Sequence, residues 1–136
     1  MRVRELMSSP ITAVTADAPL SEAADVMATR GYTTLPVLDR DGTVIGVVTE
    51  QDLARAHLAP PGPGATTPDD GVLLRGSRTV ADVMTTPAPC VSADDDISSA
   101  ALVMLDADQR CVLAVHNGQA VGIVSWRDLL RALTSR

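Results

Sequence analysis

A chain of 136 residues has room for one compact unit or two very small ones, which excludes a large multidomain enzyme. At 46% hydrophobic it can bury a real core, so a wholly disordered chain is excluded as well. Its 17 acidic against 11 basic residues leave a net charge of -6, the wrong balance for a non-specific nucleic-acid binder, which must displace counterions with a basic face.

No run approaches the roughly 18 unbroken apolar residues of a membrane span. The opening Met1-Arg2-Val3-Arg4-Glu5 lacks the apolar region of a signal peptide, so a cytoplasmic protein without membrane or nucleic-acid partners is expected. Cys90, Cys111, His57 and His116 show no zinc-ligand spacing, and no metal is expected. With only Tyr32 and Trp126 as aromatics, a base-stacking surface for single strands is not expected either.

The chain is written twice. At an offset of 77, Val3, Met7, Pro10, Val14, Asp17, Ala23, Ala24 and Met27 match Val80, Met84, Pro87, Val91, Asp94, Ala100, Ala101 and Met104. The offset then becomes 76, where Gly46, Val48, Asp52, Leu53 and Arg55 match Gly122, Val124, Asp128, Leu129 and Arg131. The lost residue falls between Asp39-Arg40-Asp41-Gly42 and His116-Asn117-Gly118, at a turn where a deletion is least disruptive.

In chain order, each copy opens with a short extended piece, around Ile11 to Thr15 and again at Cys90 to Ser92. A helix follows. Leu20, Ala23, Ala24 and Met27 fall at helical spacing with Pro19 suited to the first turn, and Ile97, Ala100, Ala101, Met104 and Leu105 repeat the pattern. The acidic run Asp94-Asp95-Asp96 ahead of the second helix reads as capping. Next comes a hairpin, Leu35 to Leu38 turning at Asp41-Gly42 into Val44 to Val48, and Val112 to Val115 turning at Asn117-Gly118 into Val121 to Val124. Pro36 lacks an N–H, so its strand is expected to be an edge at that point. Helices over Glu50 to Leu58 and Trp126 to Leu133 close the copies.

The expected fold is α+β: two pseudo-symmetric β-α-β-β-α repeats packed sheet to sheet, because about 55 residues with few aromatics bury too little surface alone. The first repeat is assigned to 1–58, a Pro/Gly-rich linker to 59–78 and the second repeat to 79–136. Seven of the thirteen residues from Ala59 to Gly71 are proline or glycine, which predicts an exposed linker.

One tetrad recurs at the last strand-to-helix junction: Thr49-Glu50-Gln51-Asp52 and Ser125-Trp126-Arg127-Asp128. Ser/Thr-x-x-Asp is the pattern of a capping box, in which hydroxyl and carboxylate each bond the other's backbone N–H. The same pattern suits a nucleoside site, since a carboxylate at such a junction can accept both ribose hydroxyls while helix-start amides attract phosphate. The two roles are compatible.

The duplicated Met-x-x-Pro openings, the strand Gly31-Tyr32-Thr33-Thr34-Leu35-Pro36-Val37, and the paired Gly46-Val47-Val48-Thr49-x-x-Asp52 and Gly122-Ile123-Val124-Ser125-x-x-Asp128 resemble a tandem pair of CBS domains, a stand-alone Bateman module. The resemblance covers nearly everything but the linker. It implies a regulatory sensor, homodimeric and acting on an unknown protein target. Its regulatory ligand would be an adenosine compound (AMP, ADP, ATP, S-adenosylmethionine or NAD) held between the repeats, with no cofactor required.

By position, the resemblance gives Asp128 to the ribose, Ser125 and Arg127 to the phosphate or ribose side, Arg110 to the phosphate, and the opposite wall to Ser8, Ile11 and Thr12 for the base, with Tyr32 and Thr33. The second cleft would use Asp52, Thr49 and Gln51, faced by Thr85, Pro89 and Gln109. Arg110 and Arg127 make the Asp128 cleft the favoured one, because Thr33 and Gln51 hold their places in the other. Arg110 could instead pair with Asp106 or Asp108, Arg127 could lie on a solvated helix face, and Trp126 could stack on an adenine or, the favoured reading, cover the helix start. Asp108 stands where the first repeat has Gly31, and Leu113-Ala114 where it has Pro36-Val37. The alternative is a ligand-free dimeric adaptor. No catalytic motif is present, and no enzymatic activity is expected.

Overall fold

A computed structural model describes residues 1–58 and 78–134. Apart from Arg78, the predicted linker lies outside these residues. In chain order the regular elements are β1 (Val14–Thr15), α1 (Leu20–Arg30), β2 (Thr34–Leu38), β3 (Val44–Thr49) and α2 (Glu50–Leu58), then β4 (Cys90–Ser92), α3 (Ile97–Ala107), β5 (Cys111–His116), β6 (Gln119–Ser125) and α4 (Trp126–Thr134). The order β-α-β-β-α is therefore present twice. Each repeat forms a three-stranded sheet, β1-β2-β3 and β4-β5-β6, with the first pair parallel and the second antiparallel.

Alternation along the strands sorts the side chains into two layers. Leu35, Val37 and Val48 enter a core with Leu20, Ala23 and Met27 of α1, and Val112, Ala114 and Val124 enter the matching core with Ala100 and Met104 of α3. Thr34, Pro36, Val47 and Leu113 are also buried but belong to neither cluster. They occupy the opposite sheet faces, where one repeat covers the other.

Pro36 obeys its chemistry. β2 is central, yet its pairing with β1 begins only at Val37, so nothing asks Pro36 for an N–H. In the other repeat Leu113 takes this place and its N–H donates to the carbonyl of Pro89 at 3.0 Å. Pro19 lies one residue ahead of the expected first turn, in the N-cap of α1, where its extended ψ of 150° starts no helix. Asp96 caps α3 by accepting from the Ser98 N–H, as the acidic run predicts. Asn117 and Gly118 both take positive φ in the tight second turn, whereas the first turn is longer and closed by Asp39 and Thr43.

Sequence patterning did not show one feature: the repeats exchange their opening segments. Each carries a short 3-10 turn, Val3–Glu5 and Val80–Asp82. Val3 is fully buried in the core of the second repeat, and Val80 in that of the first. Backbone bonds fix the exchange, with Ser8 and Ile123 bonded reciprocally at 2.9 and 3.0 Å, and Val47 and Thr85 at 3.0 and 2.8 Å. Where these segments cross the sheets there is no room for a side chain. A Cβ on Gly46 would sit 2.7 Å from the Thr85 carbonyl oxygen, and one on Gly122 would meet the Met7 side chain. The repeated glycine is thus a close-approach residue.

Candidate functional site

The exchanged segment 1–8 brings Ser8, Ile11 and Thr12 alongside the second repeat, and a cleft of about 530 Å³ opens there. All nine residues of the favoured set, Asp128, Ser125, Arg127, Arg110, Ser8, Ile11, Thr12, Tyr32 and Thr33, line it. The size suits a small-molecule pocket of roughly 300–1,000 Å³. Segment exchange and the sheet-to-sheet packing together create this meeting of residues that are up to 120 positions apart (Ser8 to Asp128).

The Ser125–Asp128 pair is a formed capping box. Asp128 Oδ2 accepts from the Ser125 backbone N–H at 2.9 Å, and Ser125 Oγ accepts from the Asp128 N–H at 3.3 Å. The carboxylate is only 13% exposed, and its other oxygen, Oδ1, faces Arg131 Nη1 at 3.9 Å. One oxygen is thus committed to the helix start while the other retains acceptor capacity. Capping fixes the carboxylate's position at the junction of β6 and α4, where the first backbone N–H groups of the helix have no internal partner.

Arg127 is exposed at the cleft and Arg131 lies one turn further along α4. Arg110 enters from the loop before β5. It does not pair with Asp106 or Asp108, the partners considered from sequence. Its nearest carboxylate is Glu50 of the first repeat, with Nη1 to Oε1 at 3.6 Å, because β5 starts beside the head of α2. On the opposite wall the Thr12 hydroxyl donates to Tyr32 Oη at 3.4 Å, and this bond lowers the phenol's pKa below its ordinary value. Trp126 packs against the second core and also lines the cleft, so covering and lining are one placement.

Arg131, Cys111 and Thr34 also line the cleft and were not among the sequence candidates. Arg131 was detectable, since it stands at i+3 from Asp128 on one helix face. Cys111 and Thr34 are duplicates of each other at offset 77, and no residue chemistry singled them out. Burial pushes the Cys111 thiol pKa up, with hydrogen bonds to Thr34 and Thr33 opposing the rise.

The second set is arranged differently. Asp52 and Thr49 form the equivalent capping box, with both bonds at 3.0 Å, and Asp52 faces Arg55 at 3.9 Å. Gln51 is exposed, Gln109 half-buried, Thr85 engaged with Val47 and the Pro89 carbonyl with Leu113. Around the other described cleft, of about 680 Å³ beside β4 and the Asn117-Gly118 turn, none of these six residues appears. No helix among the described residues is long and apolar enough to cross a membrane.

The model of the CBS domain family matches this chain twice, over residues 3–59 and 80–135. The chain belongs to the CBS domain family. An uncharacterized 17.7 kDa protein of Acidianus ambivalens is 29% identical over 133 residues, covering 97% of this chain and 73% of that protein. Enzymes that match are far longer: the chain spans 22% of an L-aspartate semialdehyde sulfurtransferase of Methanocaldococcus jannaschii, at 23% identity. Among solved structures, a CBS domain pair in complex with methylthioadenosine and S-adenosyl-L-methionine superposes with a TM-score of 0.80 at 23% identity, covering 98% of this chain and 96% of that one. A second CBS protein, in complex with AMP, superposes at 0.77 and 23%, with coverage of 98% and 96%. The fold of this tandem CBS pair is thereby established.

Proposed function

We propose that this CBS pair is a cytoplasmic regulatory module that holds an adenosine-containing ligand in the cleft beside Asp128. The observation that carries the reading is the position of that carboxylate: at the cleft wall, clamped through one oxygen by its own helix start, the other oxygen outside the cap, with a serine hydroxyl and arginines around it. A ribose can donate both hydroxyls to Asp128, the base can lie against Ile11 and Tyr32, and phosphate can reach Ser125, Arg127 and Arg110. Related folds that hold AMP, methylthioadenosine and S-adenosylmethionine support the ligand class. The Asp52 site, with Gln51 and Thr33 in place of arginines, is the weaker of the two.

The reading is one of binding rather than catalysis, because both hydroxyl–carboxylate pairs are engaged in helix caps. The second reading, a dimeric adaptor, draws on another observation. Leu102 and Leu105 of α3 and Leu130 and Leu133 of α4 are 61–68% exposed, where the first repeat has Asp25, Ala28, Ala54 and His57. Such a face favours a homodimer through these helices.

A thermal-shift panel of AMP, ADP, ATP, S-adenosylmethionine and NAD separates the readings. A ligand at a hundredfold excess over its Kd adds ~2.7 kcal/mol of stability. Asp128→Asn is the informative variant, since an amide oxygen still caps the helix, and Asp52→Asn is its matched control. A shift abolished by the first and kept by the second supports the sensor. No shift with any ligand leaves only the adaptor.

A further inference from the structure

The cleft beside Asp128 carries a charge that the duplication does not explain. Three guanidinium groups, Arg110, Arg127 and Arg131, line it against the single carboxylate of Asp128. The duplicated positions hold Thr33, Gln51 and Arg55 beside Asp52. None of the three arginines is locked in place. Arg131 and Arg110 stand 3.9 and 3.6 Å from their carboxylates with side chains 71% and 78% exposed, and such loose, solvated pairs are weak. Arg127 has no ion-pair partner among the described residues.

Glu50 adds a second asymmetry. It is the first residue of α2 in the first repeat, its counterpart is Trp126, and although it does not itself line the cleft its carboxylate meets the cleft-lining Arg110 of the second repeat. An anion already stands beside a guanidinium that an incoming phosphate would engage. A ligand with one phosphate gains little by replacing it. A ligand with two or three, also engaging Arg127 and Arg131, gains several charge-assisted bonds for the one given up. A cationic sulfonium group, by contrast, enters a field of net positive sign.

Resting on the adenosine reading above, we propose that the Asp128 cleft selects an adenosine polyphosphate over the monophosphate and over cationic adenosine derivatives. In the same proposal Glu50 is the resident anion that the phosphate chain displaces from Arg110. Displacement exchanges a contact that bridges the two repeats for one to the ligand, so occupancy is sensed at their junction.

Calorimetric titration of ATP, ADP, AMP, adenosine and S-adenosylmethionine into the full chain, at low and high salt, tests this. Affinity should change less than about twofold from adenosine to AMP, climb roughly three- to tenfold for each further phosphate at low salt, and the ladder should compress at high salt. S-adenosylmethionine should bind more weakly than AMP. Arg127→Gln should lower ATP affinity about tenfold or more and change adenosine affinity less than about twofold. Glu50→Gln should raise AMP affinity about two- to fivefold. Arg127 and Glu50 are exposed, so these two variants should keep the parent's melting temperature. A flat ladder with adenosine binding still lost in Asp128→Asn overturns the proposal and leaves the adenosine reading intact. An unchanged AMP affinity in Glu50→Gln overturns the role of Glu50. Binding of none of the five overturns both readings.

Discussion

Replacing Gly46 with alanine tests the crossing of the two repeats. The added methyl would lie 2.7 Å from the Thr85 carbonyl oxygen and 3.0 Å from Thr86 Cγ2, where ordinary contact starts at 3.4 Å. The shortfall against the oxygen is therefore about 0.7 Å (3.4 less 2.7), and backbone must yield there because the obstacle is a carbonyl, whereas Thr86 Cγ2 and Met84 Sδ, at 3.0 and 3.2 Å, belong to side chains. The same carbonyl accepts from the Val47 N–H at 3.0 Å, and the Thr85 N–H donates back at 2.8 Å. Retreat by 0.7 Å lengthens both bonds beyond useful range. Two net hydrogen bonds are worth about 1–3 kcal/mol together. Alanine's stiffer unfolded chain returns roughly 0.4–1 kcal/mol. The net loss is about 2 kcal/mol once the exchanged segment also loosens around Val80, or on the order of 8 °C in Tm for a domain of this size. Urea and thermal unfolding followed by circular dichroism, without ligand, measure it. Gly122→Ala is the internal comparison, because the nearest obstacles there, Met7 Sδ and Cγ, can rotate away and only Met7 Cβ, at 3.0 Å, must give by a few tenths of an ångström. Its loss should be less than half as large. A Gly46→Ala protein as stable as the parent, or a Gly122→Ala protein that is the weaker of the two, would refute the close-approach argument.

Asp108 ends α3 in the left-handed region, φ 53°, where the first repeat has Gly31, so Asp108→Gly should stabilise the protein by about 0.5–1 kcal/mol in the same unfolding assay. Burial raises the pKa of the Cys111 thiol, so its reactive thiolate forms only above the ordinary thiol range. In a Cys90→Ala background, iodoacetamide labelling should be slow at pH 7 and still accelerating beyond pH 9, and a ligand in the cleft should protect it. Labelling at pH 7 as fast as that of a free thiol contradicts this. Leu105→Glu combined with Leu133→Glu should convert a dimer to a monomer by light scattering, with little change in Tm beyond the loss of association, since both side chains are exposed in the single chain.

Much of the fold was legible because it is periodic. Helical spacing at Leu20, Ala23 and Met27, alternation in the hairpins and positive-φ residues at the turns are all local signals, and each was present twice. The segment exchange was not legible, because Val3 and Val80 carry the same residue in matching positions and either core would accept either one. That exchange, in turn, is what sets Ser8 against Ile123 and builds one wall of the cleft. Of the cleft-lining residues with a chemical signature, Asp128, Ser125, Arg110 and Arg127 were picked out from spacing and from resemblance to the family, and Arg131 was not. Thr34 and Cys111 were invisible, since a strand residue facing the other repeat looks like any core residue until the two sheets are docked. Arg110 shows the same limit for charges. Its sequence neighbours Asp106 and Asp108 were the natural partners, and the docked geometry chose Glu50 instead.

The central claim is that an adenosine ligand occupies the cleft between the repeats at Asp128. Amide chemical-shift mapping of the isotope-labelled chain during titration with ATP tests it most directly, because it reports position as well as binding. The account expects the largest shifts at Ser125–Asp128, Arg110–Cys111, Ile11–Thr12 and Tyr32–Thr33, with smaller ones at Arg131 and at Glu50 as Arg110 is released, all lost in Asp128→Asn. Shifts centred on Thr49–Asp52, or none at saturating nucleotide, would contradict it.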